Sequence, residues 1–399
     1  MQVAVIGAAG NEGSGIVKDL LSKWSEGINK VIMVDKNLER LEKMHQVLGD
    51  ARIVIKIADA TNKTELVKAL EGINVCINAA NYNVNLNVME ACLAAKTPYL
   101  DLGGMFYVTL EQKKLHEKFV KKGVPAILGM GSAPGCTNIL AKYAADQLDT
   151  VKKVNLYDGM RFFGQKSLVF IPPYSIRTLL QEFSEESVQF IGGEFKKMPP
   201  CSGAEVIEFP EPVGKVECVY TLHSEIATLP YTLKDKGVKE VTWKLGLPDE
   251  VKGVAVSLAS VGFGVVKEIK INDEVIKSAD FLETIIQINI KENLGAITQL
   301  ENSQSYEVIR ARVIGETNSK EVEYIIDLIK EPQKDYEGIN DPITAMPASI
   351  VAQMLAREEI PPGVWAPEEQ VNCAKFFDEM SKRKFKINVR KMEMFSLPG

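Results

Sequence analysis

The chain opens with the sequence MQVAVIGAAGNEGSG, residues 1–15. The apolar residues Val3 to Ile6 predict a short strand, and the glycines after it predict a turn into an apolar-periodic helix. In such a turn backbone N–H groups approach a pyrophosphate, which lies at the positive end of the helix. The spacing is G-x-x-G-x-x-G, because Ala9 and Glu12 break the alternative G-x-G-x-x-G pattern. We therefore expect a dinucleotide cofactor here, in contact with Gly7, Gly10, Asn11, Glu12 and Gly13.

Later strands end in residues that suit the same cofactor. Asp35 ends the second predicted strand, where a carboxylate accepts hydrogen bonds from ribose hydroxyls and repels a 2′-phosphate. Asp35 thus favours NAD, although the positive charges of Lys36 and Arg40 leave NADP open. The third and fourth predicted strands end beside the remaining cofactor candidates, which are Asp59, Ala60, Asn78, Ala79 and Ala80.

Strands and helices alternate as far as about residue 130, with a helix predicted over 109–122. This alternation predicts an α/β fold whose doubly wound parallel sheet binds its ligand at the carboxyl ends of the strands. We assign residues 1–135 to this NAD(P)-binding Rossmann domain. Residues 344–399 are predicted to be a helical segment that returns toward it.

Residues 136–343 have a different pattern, which predicts a second α+β domain with a largely antiparallel sheet. We expect this domain to bind substrate and to form the subunit contact. A helix is predicted over 175–183. The predicted strands are 215–222, 240–245, 284–290 and a hairpin of 306–314 with 321–328.

Composition excludes several classes of function. The 399 residues carry a net charge of −6 and no basic stripe, so we expect no nucleic-acid partner. The uncharged apolar stretch 253–266 is too short to span a bilayer, so we expect no membrane partner. The first strand starts at once and leaves no room for a signal peptide, which favours the cytoplasm. The three histidines are far apart and no C-x-x-C pair occurs, so we expect no metal site.

A second motif, GMGSAPGCTN at residues 129–138, follows the sixth predicted strand. Its glycines and proline predict a tight loop before a helix that starts near Thr137. Backbone amides of such a loop would lie beside the nicotinamide and suit a substrate carboxylate. The expected substrate-binding residues of this loop are Ser132, Pro134, Gly135 and Asn138.

At this loop the sequence resembles the saccharopine dehydrogenase-like family, whose members carry a similar G-x-x-P-G-x-x-N segment. The resemblance extends to the first glycine turn, to the strand end at 99–102 and to residues 363–368. It implies a two-domain NAD(P)-dependent oxidoreductase that transfers hydride at a carbon bearing an amine, with an imine as intermediate. The implied substrate is an amino acid, a diamino acid such as lysine, or a diamine. A homodimer formed through the second domain's sheet is also implied.

Two other functions stay open. One is a reductive enzyme that joins an amine to a carbonyl compound, and the other is a non-catalytic NAD-binding regulator that kept the fold. A short-chain dehydrogenase is excluded, because that class needs a Tyr-x-x-x-Lys pair. None of the eleven tyrosines has a lysine four residues later.

Asp101 and His223 are the candidate catalytic residues. Asp101 ends the fifth predicted strand, where the family places polar groups near the reacting carbon, although a capping or ribose contact would also explain it. His223 follows a strand of the second domain and is either a base poised near neutral pH or a structural histidine. Glu225 could anchor a cationic group.

Arginines are the natural ligands of a substrate carboxylate, because a guanidinium donates two parallel hydrogen bonds. Arg161 is the first candidate for this contact and Arg177 the second, with surface ion pairs as the alternative. Tyr82 could contact the nicotinamide or the substrate. Cys136 is expected to pack rather than react.

Overall fold

Parallel strands form a sheet in the N-terminal part of the chain. The computed structural model describes residues 1–163, 170–264, 267–293 and 304–393. Within these ranges the strands are β1 (Gln2–Ile6), β2 (Lys30–Asp35), β3 (Ile53–Ile57), β4 (Val75–Asn78), β5 (Tyr99–Asp101), β6 (Pro125–Ile127), β7 (Thr150–Phe163), β8 (Ser187–Ile191), β9 (Glu194–Met198), β10 (Glu205–Glu208), β11 (Lys215–Tyr220), β12 (Glu240–Gly246), β13 (Glu268–Ile271), β14 (Glu274–Lys277), β15 (Gln304–Thr317), β16 (Lys320–Lys330), β17 (Gly363–Trp365) and β18 (Lys386–Glu393). The α-helices are α1 (Asn11–Leu21), α2 (Leu38–Leu48), α3 (Lys63–Leu70), α4 (Asn85–Ala95), α5 (Met105–Lys113), α6 (His116–Lys122), α7 (Cys136–Asp146), α8 (Ile176–Ser184), α9 (Leu229–Thr232), α10 (Asp249–Ser260), α11 (Ser278–Glu292), α12 (Pro342–Ala356), α13 (Pro367–Gln370) and α14 (Cys373–Lys382).

The first sheet has the strand order β17-β6-β5-β4-β1-β2-β3, and its paired strands run parallel. Alternate residues of β1 pack on opposite faces. Val3 and Val5 lie in one hydrophobic cluster with Ile16 of α1, whereas Ala4 lies in another with Leu66 of α3. Helices therefore cover both faces, and the predicted doubly wound α/β fold is confirmed.

The second sheet has the order β10-β11-β12-β7-β15-β16-β18, with β8 and β9 attached through β12. Most of its pairs are antiparallel, and β7 with β12 is parallel. The predicted hairpin is confirmed as β15 and β16. Leu156 and Ile309 on one face of this sheet share a hydrophobic cluster with Leu140 of α7 and with Val5 of the first sheet. One continuous core thus joins the two sheets.

Two predicted elements differ from the structure. The strand expected over 284–290 is part of α11, whose Leu282 is buried while Ile285 is 46% exposed. One-sided burial stabilises a helix here and outweighs the β preference of its isoleucines. The helix expected over 109–122 is divided into α5 and α6.

The C-terminal segment is only partly helical. Helix α12 packs on α1, where Ala345 contacts the backbone of Gly15. Strand β17 then joins β6 at the edge of the first sheet, and β18 joins β16 in the second. The segment predicted to be helical thus returns to the first domain through α12 but also contains two strands, because two short runs after α12 complete the two sheets. Among the described residues, every helix falls short of the length and apolarity that a bilayer crossing requires.

Candidate active site

The glycine turn has the geometry of a pyrophosphate cradle. Gly7 has φ +75°, and a Cβ there would lie 2.9 Å from the backbone nitrogen of Ala80. A Cβ on Gly13 would lie 2.1 Å from the carbonyl oxygen of Gly7. Gly10 closes the turn by donating its N–H to the Gly7 oxygen at 2.9 Å. The backbone therefore passes close to the ends of β1 and β4 and opens α1 toward them, which suits a dinucleotide.

Asp35 lies beside this turn. Its carboxylate accepts hydrogen bonds from the N–H groups of Ala9 at 3.3 Å and Asn37 at 3.0 Å. This places Asp35 where a ribose would lie, and Lys36 next to it is exposed. Asp59, beyond β3, accepts two hydrogen bonds from Thr61, which lower the pKa of its carboxyl.

Asn78, Ala79 and Ala80 follow β4. The Asn78 amide donates to Asn85 Oδ1 at 2.9 Å and accepts from the Ala80 N–H at 3.2 Å. The side chain of Asn78 thus stabilises the turn, and the small side chains of Ala79 and Ala80 leave the strand end open. Ala60, beside Asp59, accepts a hydrogen bond from Asn87.

Asn11 and Glu12 begin α1 but face the C-terminal segment. Asn340 donates a hydrogen bond to Asn11, and Asn11 donates to Glu12 at 3.2 Å. Burial, followed by the charge of Asp341, raises the pKa of Glu12 well above its ordinary value. A neutral Glu12 is compatible with a phosphate nearby, because it adds no repulsion.

Asp101 is fully buried and saturated with hydrogen bonds. One oxygen accepts the N–H groups of Gly103 at 2.9 Å and Gly129 at 2.7 Å. The other accepts from Gln112 at 2.6 Å and Tyr99 at 2.8 Å. Burial raises the pKa of Asp101 and these donors oppose the rise. Asp101 therefore fixes the loops after β5 and β6 to each other, and the expected contact with substrate or transferred proton has no geometric support.

The loop at 129–138 is held by its own backbone. The Ala133–Pro134 bond is cis, the Gly131 N–H donates to the Pro134 oxygen at 2.8 Å, and Gly135 has φ +123°. The side chain of Ser132 is bonded to Thr344 of α12 at 3.0 Å. The hydrogen bond of Ser132 holds the loop against the C-terminal segment.

Asn138 connects this loop to the rest of the site. Its oxygen accepts the Gly135 N–H at 3.0 Å, and its amide donates to Glu368 at 2.8 Å and Thr228 at 3.3 Å. Burial raises the pKa of Glu368 to about 7. Asn138 was expected to bind substrate. In the structure its buried amide instead joins the loop to the segments that contain Thr228 and Glu368.

His223 lies between two carboxylates. Its Nδ1 is 2.6 Å from Glu225 and its Nε2 is 3.6 Å from Glu182, while its ring stacks on Trp243 at 4.4 Å. Burial opposes the charged ring, but the carboxylates, Glu225 first, outweigh it and raise the pKa of His223 to about 10. A base poised near neutrality is therefore not what this geometry supplies. Glu225, expected to anchor a cation, holds the imidazolium of His223 and accepts from Thr137 at 3.0 Å.

The two candidate arginines lie outside this cluster. Arg161 is exposed, and strand alternation puts it on the face of β7 opposite to Met160. Arg177 binds Asp280 at 2.6 Å and Glu283 at 2.9 Å and so ties α8 to α11. Neither is placed as a clamp for a substrate carboxylate.

Tyr82 and Cys136, the other two candidates, both contact protein groups. Tyr82 donates to Gln181 of α8 at 2.8 Å and thereby links the first domain to the second. Cys136 is buried, and burial raises the pKa of its thiol. The expectation that Cys136 packs rather than reacts agrees with this environment.

Comparison with models of protein families identifies the family to which this chain belongs. The model of the saccharopine dehydrogenase NADP binding domain matches residues 3–127, and that of the saccharopine dehydrogenase C-terminal domain matches residues 131–385. The chain belongs to the saccharopine dehydrogenase family. Its NAD(P)-binding domain fits the glycine turn and the strand ends described above.

The curated relatives include a synthase and a dehydrogenase. The chain is 24% identical to carboxynorspermidine synthase of Vibrio cholerae over 60% of its length, and it spans 62% of that relative. It is 21% identical to carboxyaminopropylagmatine dehydrogenase of Synechocystis over 75% of its length and 76% of that relative. Apo saccharopine dehydrogenase (L-Glu forming) of Saccharomyces cerevisiae shares the fold, with a TM-score of 0.69 and 15% identity over 98% of this chain and 99% of that one.

Several acidic residues near the site of this saccharopine dehydrogenase family member were not predicted from the sequence. Glu182 accepts a hydrogen bond from Tyr174 beside His223. Asp158 and Glu307 are buried and Asp341 is half-buried, and their charges act on one another. One available signal was the charged Asp158 between the apolar Leu156 and Met160, on the side of the strand that should be buried.

Proposed function

We propose that this protein is an NAD(P)-dependent oxidoreductase that acts on the carbon–nitrogen bond of an amino acid or of a diamine derivative. One observation carries the proposal. The glycine turn and the loop at 129–135 lie beside a buried, acid-rich face of the second sheet, because the charges of Glu307 and Asp341 act on Glu12 and on Cys136. Tyr82 donates a hydrogen bond to Gln181 across the junction of the two domains. Membership of the saccharopine dehydrogenase family supports the same reaction class.

The bound nicotinamide would supply or accept the hydride. In the reductive direction an amine and an aldehyde lose water to give an imine, and hydride and a proton reduce it to a secondary amine. Gly7, Gly10 and Gly13 would hold the pyrophosphate, and Asp35 the ribose. Asp101 holds the loops at the reaction centre, while the imidazolium of His223 between two carboxylates fixes the opposite wall. Buried fixed charges of this kind favour a polar transition state without reorganisation.

We favour the reductive joining of an amine to an amino-acid aldehyde over the oxidation of a free amino acid such as lysine. The names of two curated relatives support this choice, since carboxynorspermidine and carboxyaminopropylagmatine are each an amine that bears a carboxylated carbon chain. A homodimer is our proposal for the assembly, supported by exposed apolar residues on β18, Val389 and Met392. We also propose a cytoplasmic location, which the unpaired cysteines support.

Absorbance of the reduced cofactor tests the activity. Purified protein is mixed with NADH or NADPH, a panel of amino-acid aldehydes and 2-oxo acids, and a panel of diamines and amino acids. We expect oxidation of the cofactor only when a carbonyl compound and an amine are both present. Cofactor binding without oxidation for every pair, and without reduction of NAD or NADP by amino acids, would contradict the proposal and favour a regulator.

A further inference from the structure

Two buried carboxyls lie side by side on the second sheet. In the antiparallel pair β7–β15, Asp158 is opposite Ile309 and Glu307 is opposite Met160. Directly opposed residues share a face, so all four side chains lie on the same side of the sheet. Met160 and Ile309 belong to the core that joins both domains, which places this side toward the cofactor domain. Asp158 is 5% exposed and Glu307 9% exposed.

Asp158 has an unsatisfied atom. Its Oδ1 is buried without a hydrogen-bond partner among the described residues. An orphaned buried acceptor costs roughly 1–3 kcal/mol, more when charged, so it needs an explanation. Glu307 lies diagonally opposite Asp158 on the same face, and the charge of each carboxyl disfavours ionisation of the other.

Two cationic side chains nearby, Lys330 and His223, already have hydrogen-bond partners of their own. Lys330, opposite Glu307 on β16, donates its ammonium to the backbone and side chain of Ser305. His223 is held by its own two carboxylates. Burial and the neighbouring Asp341 raise the pKa of Glu307 to about 8, although the charge of Lys330 opposes the rise. These carboxyls would therefore gain from a ligand that brings both positive charge and N–H donors.

A primary ammonium group on an alkyl chain has both properties. It carries three donors that can reach several acceptors, and its methylenes can pack on apolar side chains. Met160 and Ile309 provide such apolar surface on the same face as the carboxyls. The described residues contain no group of side chains arranged to hold a metal ion, which favours an organic cation.

We propose that Asp158 and Glu307, with Asp341 beside them, form a subsite for the far ammonium group of a diamine substrate. The subsite lies on the wall that faces the cofactor domain, so the other nitrogen of the diamine would be the one that reacts. This inference rests on the proposed function for the identity of the reacting end, but the subsite can be tested by binding alone.

Isothermal titration with butane-1,4-diamine and n-butylamine tests the subsite directly. Wild-type protein saturated with NADP should bind the diamine at least about 10-fold more tightly than the monoamine, because a charged hydrogen bond is worth about 1.5–3 kcal/mol. Asp158→Asn and Glu307→Gln should each reduce this ratio by about 10-fold, because only the diamine can place one ammonium in the subsite and its other nitrogen at the reacting position.

Glu208→Gln is the matched control, since it removes a carboxylate from the exposed end of β10 in the same sheet. It should keep the wild-type ratio. Titration of NADPH by fluorescence checks that each variant is folded, and Asp158→Asn and Glu307→Gln provide independent tests. Equal affinity of the wild type for both amines, or an unchanged ratio in both folded variants, overturns the subsite.

The turnover assay separates this inference from the proposed function. Loss of the diamine preference in the variants supports the subsite, whatever the turnover assay gives. If the wild type then fails to oxidise NADH or NADPH with any substrate pair, only the proposed activity is rejected. Turnover by the wild type with diamines, with the same preference in Asp158→Asn and Glu307→Gln, rejects the subsite and leaves the activity standing.

Discussion

We propose that the choice between NAD and NADP depends on the carboxylate of Asp35. We expect Asp35→Ala to weaken NADH binding by about 10-fold, because hydrogen bonds from ribose hydroxyls to a charged group are lost. Binding of NADPH should change less or improve, because repulsion of the 2′-phosphate is also lost. Fluorescence titration of both cofactors measures the ratio. Glu39→Ala is the control, because Glu39 is an exposed carboxylate in the first turn of α2. An unchanged NADH/NADPH ratio in Asp35→Ala would remove Asp35 from the ribose site.

His223 makes stability depend on pH. Its pKa is raised from 6.5 to about 10, so the folded state keeps a proton that the unfolded chain releases between these values. Its contribution is therefore complete below about pH 6.5 and is lost as the pH rises through about 10. We expect the difference in unfolding free energy between wild type and His223→Gln to shrink steadily over this window in urea titrations. A difference that stays constant from about pH 6 to 10 would show that the native ring is neutral.

Residues whose role is local were predictable from the sequence. The glycines and Asp35 are identified by the strand and helix that flank them, and the structure places them together. Asp101 was harder, because its hydrogen-bond donors come from residues up to 28 positions away. Asp158 and Glu307 are about 150 positions apart in the sequence, and only the pairing of β7 with β15 brings them together.

At the scale of elements, a buried ion pair attaches α14 to α1. Arg383 binds both carboxylate oxygens of Asp19, at 2.9 and 3.0 Å, and both side chains are fully buried. We expect Arg383→Met to lower the unfolding free energy by about 3–5 kcal/mol, because it leaves a buried carboxylate unpaired. Urea denaturation at neutral pH measures the loss.

Lys382→Met is the control for this change, because Lys382 is exposed and its ion pairs are worth about 0–1 kcal/mol. Replacing both partners, Asp19→Leu with Arg383→Met, should recover part of the stability because no charge then stays buried. A loss below about 1 kcal/mol in Arg383→Met would indicate that water reaches Asp19 in solution.

Element types followed from the sequence wherever periodicity agreed with burial. The hairpin of β15 and β16 alternates clearly and was predicted. Helix α11 was mistaken for a strand, because isoleucines alternate with polar residues over 284–290 and the helix buries only one narrow side. The partners that decide between these alternatives, α8 and its Arg177, lie about 100 residues earlier in the chain.

At the scale of the whole molecule, the C-terminal part of the chain completes the N-terminal domain. Residues after 341 supply helix α12 against α1 and strand β17 at the edge of the first sheet. We expect a fragment of residues 1–135 to lack stable tertiary structure, because the apolar surface that α12 covers would be open to water. Near-ultraviolet circular dichroism and dispersion of amide NMR signals measure this. Adding a separately made 342–383 peptide should increase the ordered signal, and a folded 1–135 fragment on its own would contradict the expectation.

The pairing of β17 with β6 also governs how the protein is made on the ribosome. Strand β6 is complete early in synthesis, yet its partner emerges only in the last tenth of the chain. Until then β6 presents an open edge that can pair with strands of other chains. Slow translation of the second domain would prolong this exposure, so the yield of native protein should depend on chaperones that shield the nascent N-terminal domain.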